Sequence, residues 1–301
     1  MMRAPRLLLG IGWHWAFGVG ALLAMGCSAS GSDGSQGSGA SGSSSDGGGG
    51  SGTGGDLGLG AGGPGEEQEN AEVFAHSART LFRLDPNTRE VKEVADFVGC
   101  VDNVIDIAVN EQGQMFGATF GSLFSIDKET AKCTKLADGS YPNSLSFVPK
   151  GTVDPDEEAL VGYNSATYVR IDTTTGFLST LGELVDTSNP IGGYYSSGDI
   201  VSVIGGGTYL TVTGADCDDC IVEVDPANGK LKRVIGMLNY QDVFGLAFWG
   251  GSAYGFTAEG ALIKINLENA STSEIPIPSA PAFLEFFGAG STTAAPLTPI
   301  E

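Results

Sequence analysis

LFRLDPNT at 81–88 recurs as LFSIDKET at 123–130, YVRIDTTT at 168–175, IVEVDPAN at 221–228 and LIKINLEN at 262–269. Each copy reads apolar, apolar, polar, apolar, then Asp or Asn followed by a turn. The first four positions suit a half-buried strand, and the Asp or Asn with the Pro, Asn or Thr behind it supplies hairpin chemistry. The anchors Asp85, Asp127, Asp172, Asp225 and Asn266 lie 42, 45, 53 and 41 residues apart. A period of this size, with several short strands per unit, is that of propeller blades.

The other strands of each unit lie around these copies. Ahead of them stand EVFAHSA (72–78), QMFGATF (114–120), EALVGYN (158–164), TYLTVTG (208–214) and SAYGFTA (252–258). Behind them come outer-strand candidates at 91–94, 133–136, 177–181, 230–235 and 272–277. Inner strands open four units at 104–109, 144–148, 200–204 and 243–248, and the N-terminal unit has none before Glu72. Its missing strand is expected at the other end, where Phe283 to Phe287 follows the fifth unit. Such a closure leaves no open sheet edge. The chain therefore reads as an all-β, five-bladed propeller over 71–301, its first blade completed by the C-terminal strand. The runner-up, an open β-sandwich, does not explain so regular a period.

Residues 1–26 carry Arg3 and Arg6, an apolar run from Leu7 to Met25 and a small residue before Cys27, the layout of a secretory signal. A retained membrane helix is the alternative, but glycines and His14 dilute the run. Ala24-Met25-Gly26-Cys27 resembles the lipobox of bacterial lipoproteins, although leucine is more usual where Ala24 stands. That resemblance implies that Cys27 becomes a lipidated N-terminus in a bacterial cell envelope. Ser28 lacks the aspartate associated with inner-membrane retention in enteric bacteria, so the outer membrane is the expected address. The competing reading is plain secretion with Cys27 as a stray thiol.

Residues 27–70 form the second segment, nearly all Gly, Ser, Ala, Thr and Asp. Such composition cannot bury enough apolar surface to offset its ordering entropy, so it is expected to be a disordered tether with a reach of ~35 Å. The chain holds 15 basic and 36 acidic side chains, a net charge of -21. That balance excludes phosphate-contacting nucleic-acid binders. With only His14 and His76, histidine-centred catalysis and His-rich metal sites are out of reach.

The Asp-Pro-Asn-Thr and Asp-Pro-Ala-Asn-Gly turns resemble those of bacterial YVTN-type and quinoprotein-like propellers, over residues 71–296. The resemblance implies architecture rather than activity, since such folds host enzymes, binders and scaffolds alike. The tryptophan-docking repeats of quinoprotein dehydrogenases are missing, so no quinone cofactor is expected.

Propeller sites usually form from loops that link an outer strand to the next inner strand. Here those loops offer Asp102, Asn103, Tyr141, Asn143, Tyr194, Tyr195, Tyr240 and Asp242. Rings for contact area and amides for hydrogen bonds suit a shallow site for a polar ligand, a glycan or an envelope protein; turn-setting alone is the plainer reading. Aligned inner strands place Asp106, Ser146, Asp199, Gly245 and Glu285 at equivalent positions, so three carboxylates are expected near the axis. Three readings of Asp106, Asp199 and Glu285 compete. Oxygen ligands favour Ca²⁺ or Mg²⁺. An acid and base pair looks like the axial set of five-bladed glycoside hydrolases. The last option is hydrogen bonding to neighbouring backbone or water. No cofactor other than Ca²⁺ is expected, and the protein reads as a monomer.

An exported protein oxidises its thiols, and Cys217 with Cys220 and Cys100 with Cys133 are the favoured pairs of three possible pairings. Redox or zinc chemistry at Cys217 and Cys220 lacks its usual context. Asp216, Asp218 and Asp219 form an acidic insertion, and His76 has no partner visible in the sequence.

Overall fold

The computed structural model describes residues 71–185, 193–214, 217–278 and 280–299. The signal segment 1–26, Cys27 with the tether to residue 70, and Asp216 lie outside the described residues. Twenty strands, β1 to β20 in chain order, make five antiparallel four-stranded sheets among the described residues. Blade two is β4 (Asp106–Val109), β5 (Met115–Ala118), β6 (Ser122–Asp127) and β7 (Lys132–Asp138). Blade three is β8 (Leu145–Val148), β9 (Ala159–Asn164), β10 (Thr167–Ile171) and β11 (Leu178–Glu183). Blade four is β12 (Tyr195–Ser202), β13 (Thr208–Gly214), β14 (Cys217–Val224) and β15 (Leu231–Met237). Blade five is β16 (Val243–Trp249), β17 (Ser252–Thr257), β18 (Leu262–Ile265) and β19 (Thr272–Ile275).

Blade one runs β20 (Gly288–Ser291), β1 (Val73–His76), β2 (Thr80–Leu84), β3 (Val91–Asp96), so the C-terminal strand closes the ring. Its register pairs Val73 with Ser291 and His76 with Gly288. The closing segment differs from the expected Phe283 to Phe287. That run lies ahead of the strand, and Phe286 fills the core edge-on to Phe82 and Phe256, with centroids 6.2 and 5.1 Å away. Space decides the outcome: a Cβ on Gly288 would meet His76 Nε2 and Asp106 Oδ1, so this axial position admits no side chain.

The repeated turns act as read. Asp85 Oδ1 accepts the N–H groups of Asn87 and Thr88 at 2.8 and 3.2 Å, and Asp127 accepts those of Glu129 and Thr130, both at 3.0 Å. Asp172 repeats this with Thr174 and Thr175, Asp225 with Ala227, and Asn266 with Glu268. Four residues after each anchor, the chain turns left-handed at Arg89, Ala131, Gly176, Gly229 and Ala270. The core lies between blades. One cluster joins Val73 and Phe82 to Leu246, Phe248 and Phe256, and another joins Phe74 and Leu81 to Ile107 and Phe124.

Both disulfides form, with Cα atoms 5.1 Å apart for Cys100–Cys133 and 5.9 Å for Cys217–Cys220. Cys100 lies between β3 and β4, where Val98 pairs in parallel with Lys132 on the outer strand of blade two. The bridge staples this crossover to the neighbouring blade.

Candidate functional site

The register aligns five axial positions: Asp106, Ser144, Asp199, Gly245 and Gly288. Ser144 takes the place expected of Ser146, and Gly288 takes that of Glu285. Glu285 is exposed in the segment ahead of β20 and is no axial group. Two carboxyls therefore reach the axis.

Asp106 and Asp199 are fully buried, and each joins two blades. Asp106 Oδ1 accepts the Ile107 N–H at 2.8 Å while Oδ2 accepts the Leu145 N–H at 2.5 Å. Asp199 repeats the pattern with Ile200 at 2.6 Å and Leu246 at 2.7 Å. These four amides each follow an axial position, one from each of blades two to five. Two side chains thus gather inward-pointing donors from four of the five blades, which satisfies amides that water cannot reach.

The two carboxyls hydrogen-bond each other and share a proton between them. Burial raises both well above the ordinary carboxylate range, and the neighbouring Asp199 charge raises Asp106 further. His76, at the end of β1, is buried beside them. Its Nδ1 bonds to the Ser77 carbonyl at 2.8 Å, and Nε2 lies 3.9 Å from Asp106 Oδ1 without a hydrogen-bond partner. Burial lowers its pKa to about 4, so the ring is neutral at physiological pH. Sequence reasoning left His76 without a role; its strand register opposite the closing Gly288 is what brings it to the axis.

This donor-rich setting does not suit a cation, because the oxygens already face N–H groups. Among the described residues, no group of three or more His, Cys, Asp or Glu side chains is arranged to hold a metal ion.

One residue before each axial position stand Ile105, Asn143, Gly198, Phe244 and Phe287. Together with Asn103 and Phe120 they line a cup of about 250 Å³ over the axis. The cup is mostly apolar, with amides from Asn103 and Asn143 and the carboxyl pair one layer beneath its floor. Phe120 sits at the β5–β6 hairpin and is 72% exposed. A second cleft of about 680 Å³ shares Asn103 and Phe120 with the cup and extends past Asp102 toward Arg79 and Phe97.

The remaining expected site residues separate. Tyr141 is buried, and its hydroxyl donates to the Gly176 carbonyl at 3.0 Å. Tyr194 is buried in the core between blades three and four. Tyr195 stays exposed at the start of β12, and the Tyr240 hydroxyl donates to Glu274 at 3.2 Å. Asp242 is exposed with a left-handed backbone, φ 55°. Asp219 is buried and accepts from the Ser197 hydroxyl at 2.7 Å, which gives it a structural task, whereas Asp218 is exposed. The apolar residues Ile105, Phe120, Phe244 and Phe287 were missed because strand ends read as core. Their place one residue ahead of each axial position was the available signal.

No protein-family model matches the chain, and no curated protein matches it. Similar solved structures include a chain of a nidogen/laminin complex, 12% identical over 76% of this chain and 99% of that one, TM-score 0.45. A protein of unknown function from Bacteroides caccae is 11% identical over 72% of this chain and 77% of its own, TM-score 0.38. One from Bacteroides thetaiotaomicron VPI-5482 is 13% identical over 73% and 64%, TM-score 0.42. The five-bladed architecture rests on the sheet order itself.

Proposed function

We propose that the chain is an exported bacterial lipoprotein, anchored through Cys27 in the outer membrane, whose propeller works as a monomeric binding module. The lipobox-like Ala24 to Cys27 and the Gly/Ser-rich tether behind it support the anchor. The turn sequences support a home among YVTN-type and quinoprotein-like propellers. The observation that carries binding is the cup: an open, largely apolar recess, to which the inner strands of all five blades contribute, above an axis that is sealed. Asn103 and Asn143 supply hydrogen bonds there, and Phe120 supplies contact area.

The hydrolase alternative requires two open carboxyls roughly 5 to 9.5 Å apart across a substrate. Asp106 and Asp199 are sealed, bonded to each other and to the backbone, so the geometry favours binding.

The test passes envelope glycans and envelope-protein extracts over the immobilised full chain. Retention that Phe120→Ala and Asn143→Ala abolish supports the cup as the site. Retention indifferent to both, or none at all, refutes it. In parallel, an alkyne-palmitate label that Cys27→Ala removes would support the anchor.

A further inference from the structure

The loops around the cup share three features that folding does not require. First, they expose large apolar groups: Phe120 is 72% exposed and Phe283 is 99% exposed. Second, Phe283 holds a left-handed backbone, φ 61°. A bulky aromatic pays roughly 1–3 kcal/mol for such a conformation. The other left-handed non-glycine residues on this face are Asp102, Ser165 and Asp242, short polar types that tolerate the region better. Arg89, Ala131 and Ala270, by contrast, occupy the repeated hairpin position on the opposite face. Phe283 is thus held in strain with its ring in water. The adjoining Leu284 carbonyl lies so close to Gly260 that a Cβ there would collide with it, which ties this segment to the β17–β18 hairpin of the cup face.

Third, the described loops of this face carry the acids Asp102, Asp242, Glu259 and Glu285 against the single cation Arg79. None of the four carboxylates makes a side-chain hydrogen bond or ion pair among the described residues. Several carboxylates elsewhere are engaged: Asp85, Asp127 and Asp172 cap their own turns, and Glu72 pairs with Arg83 and Lys128. An apolar recess and exposed rings inside a rim of unpaired negative charge complement one kind of partner.

Resting on the binding reading, we infer that this face docks a basic segment of a partner protein, one apolar side chain entering the cup while its Lys or Arg neighbours meet the rim carboxylates. The recess is large enough for one Phe or Leu side chain. The rim charges steer encounter and weaken with salt, and the anchor in the cup sets the off-rate.

The probe is a fluorescent pentapeptide, Lys-Lys-Phe-Lys-Lys, titrated into the full chain in detergent, with Lys-Lys-Ala-Lys-Lys and Glu-Glu-Phe-Glu-Glu as controls. Replacing Phe by Ala in the peptide is expected to weaken binding about tenfold, from an anchor contact of roughly 1.4 kcal/mol. The acidic peptide should not bind. Phe120→Ala should lose about tenfold, and Asp242→Asn a few-fold with a shallower salt dependence. Phe120 and Asp242 are exposed, so both variants should keep the wild-type melting temperature. Equal binding of the acidic peptide, wild-type affinity in Phe120→Ala, or mapping of the peptide to the opposite face by amide shifts would overturn the inference. Displacement by a glycan or by tetramethylammonium with shifts at Phe120, while the basic peptide leaves them unmoved, would retain a binding module and reject this partner class. Absence of shifts at the cup with every probe would reject both.

Discussion

Replacing Asp106 by Ala removes the acceptor for two sealed amides, those of Ile107 and Leu145. A buried donor left without a partner costs about 1–3 kcal/mol, so Asp106→Ala should cost roughly 2–6 kcal/mol. Asp199 likewise serves two amides, Ile200 and Leu246, so Asp199→Ala should cost a similar amount, roughly 2–6 kcal/mol on the same scale. Those are large fractions of the ~5–15 kcal/mol that holds a typical domain together. At about 2–4 °C per kcal/mol for a domain of this size, Asp106→Ala should melt about 4 to 24 °C below the wild type. Asp106→Asn keeps one acceptor oxygen and should fall between. Thermal and urea unfolding followed by circular dichroism reads all three variants, with exposed Asp102→Asn, which suits the left-handed backbone there, as the control expected to stay within ~0.5 kcal/mol. An Asp106→Ala or Asp199→Ala variant indistinguishable from that control would refute the assignment of four amides to two carboxyls.

Loss of the Cys100–Cys133 bridge through Cys100→Ala with Cys133→Ala frees a loop of 33 residues and should cost about 4 kcal/mol, read as a urea midpoint shift that reduction of the wild type reproduces. Deletion of 288–301 removes β20 and leaves β1 as an edge; hydrogen exchange at Val73 to His76 should lose its protection, and an unchanged exchange pattern would contradict closure by the C-terminal strand. His76 has a depressed folded pKa, so its contribution is present above the unfolded value of 6.5 and is lost as pH falls through about 4. Between those limits the wild type should lose about 3 kcal/mol relative to His76→Gln. Asp106 and Asp199 work in the opposite direction, since their raised pKa values give stability at low pH that is lost as pH rises. The comparison with His76→Gln isolates the histidine, and parallel pH curves would contradict its depressed pKa.

The blade count, the turn anchors and both cysteine pairs were legible in the sequence because each rests on local chemistry repeated at a fixed period. The closing strand was not. Gly-Ala-Gly-Ser has little intrinsic strand preference, whereas Phe-Leu-Glu-Phe-Phe alternates like a strand, and only the crowding of His76 and Asp106 at the axis selects the small residues. That same misplacement put Glu285 on the axis and hid the pairing of Asp106 with Asp199. The amide and acid groups at Asn103, Asn143, Asp102 and Asp242 were readable as loop residues, but the apolar lining of the cup was not, since Phe244 and Phe287 resemble ordinary core until the register is known. Tyr141 and Tyr194 show the converse, loop aromatics that the fold buries.

The most direct test is a carbon-13 NMR titration of the Asp106 and Asp199 carboxyls in the folded protein. A sealed lock at the axis requires the pair to hold its shared proton well above the ordinary value of 3.8, so that at least one carboxyl shift does not titrate near that value and is altered when the other residue is replaced by Asn. Two carboxyls that both ionise near 3.8 would mean that water reaches the axis, and the sealed floor beneath the cup would be wrong.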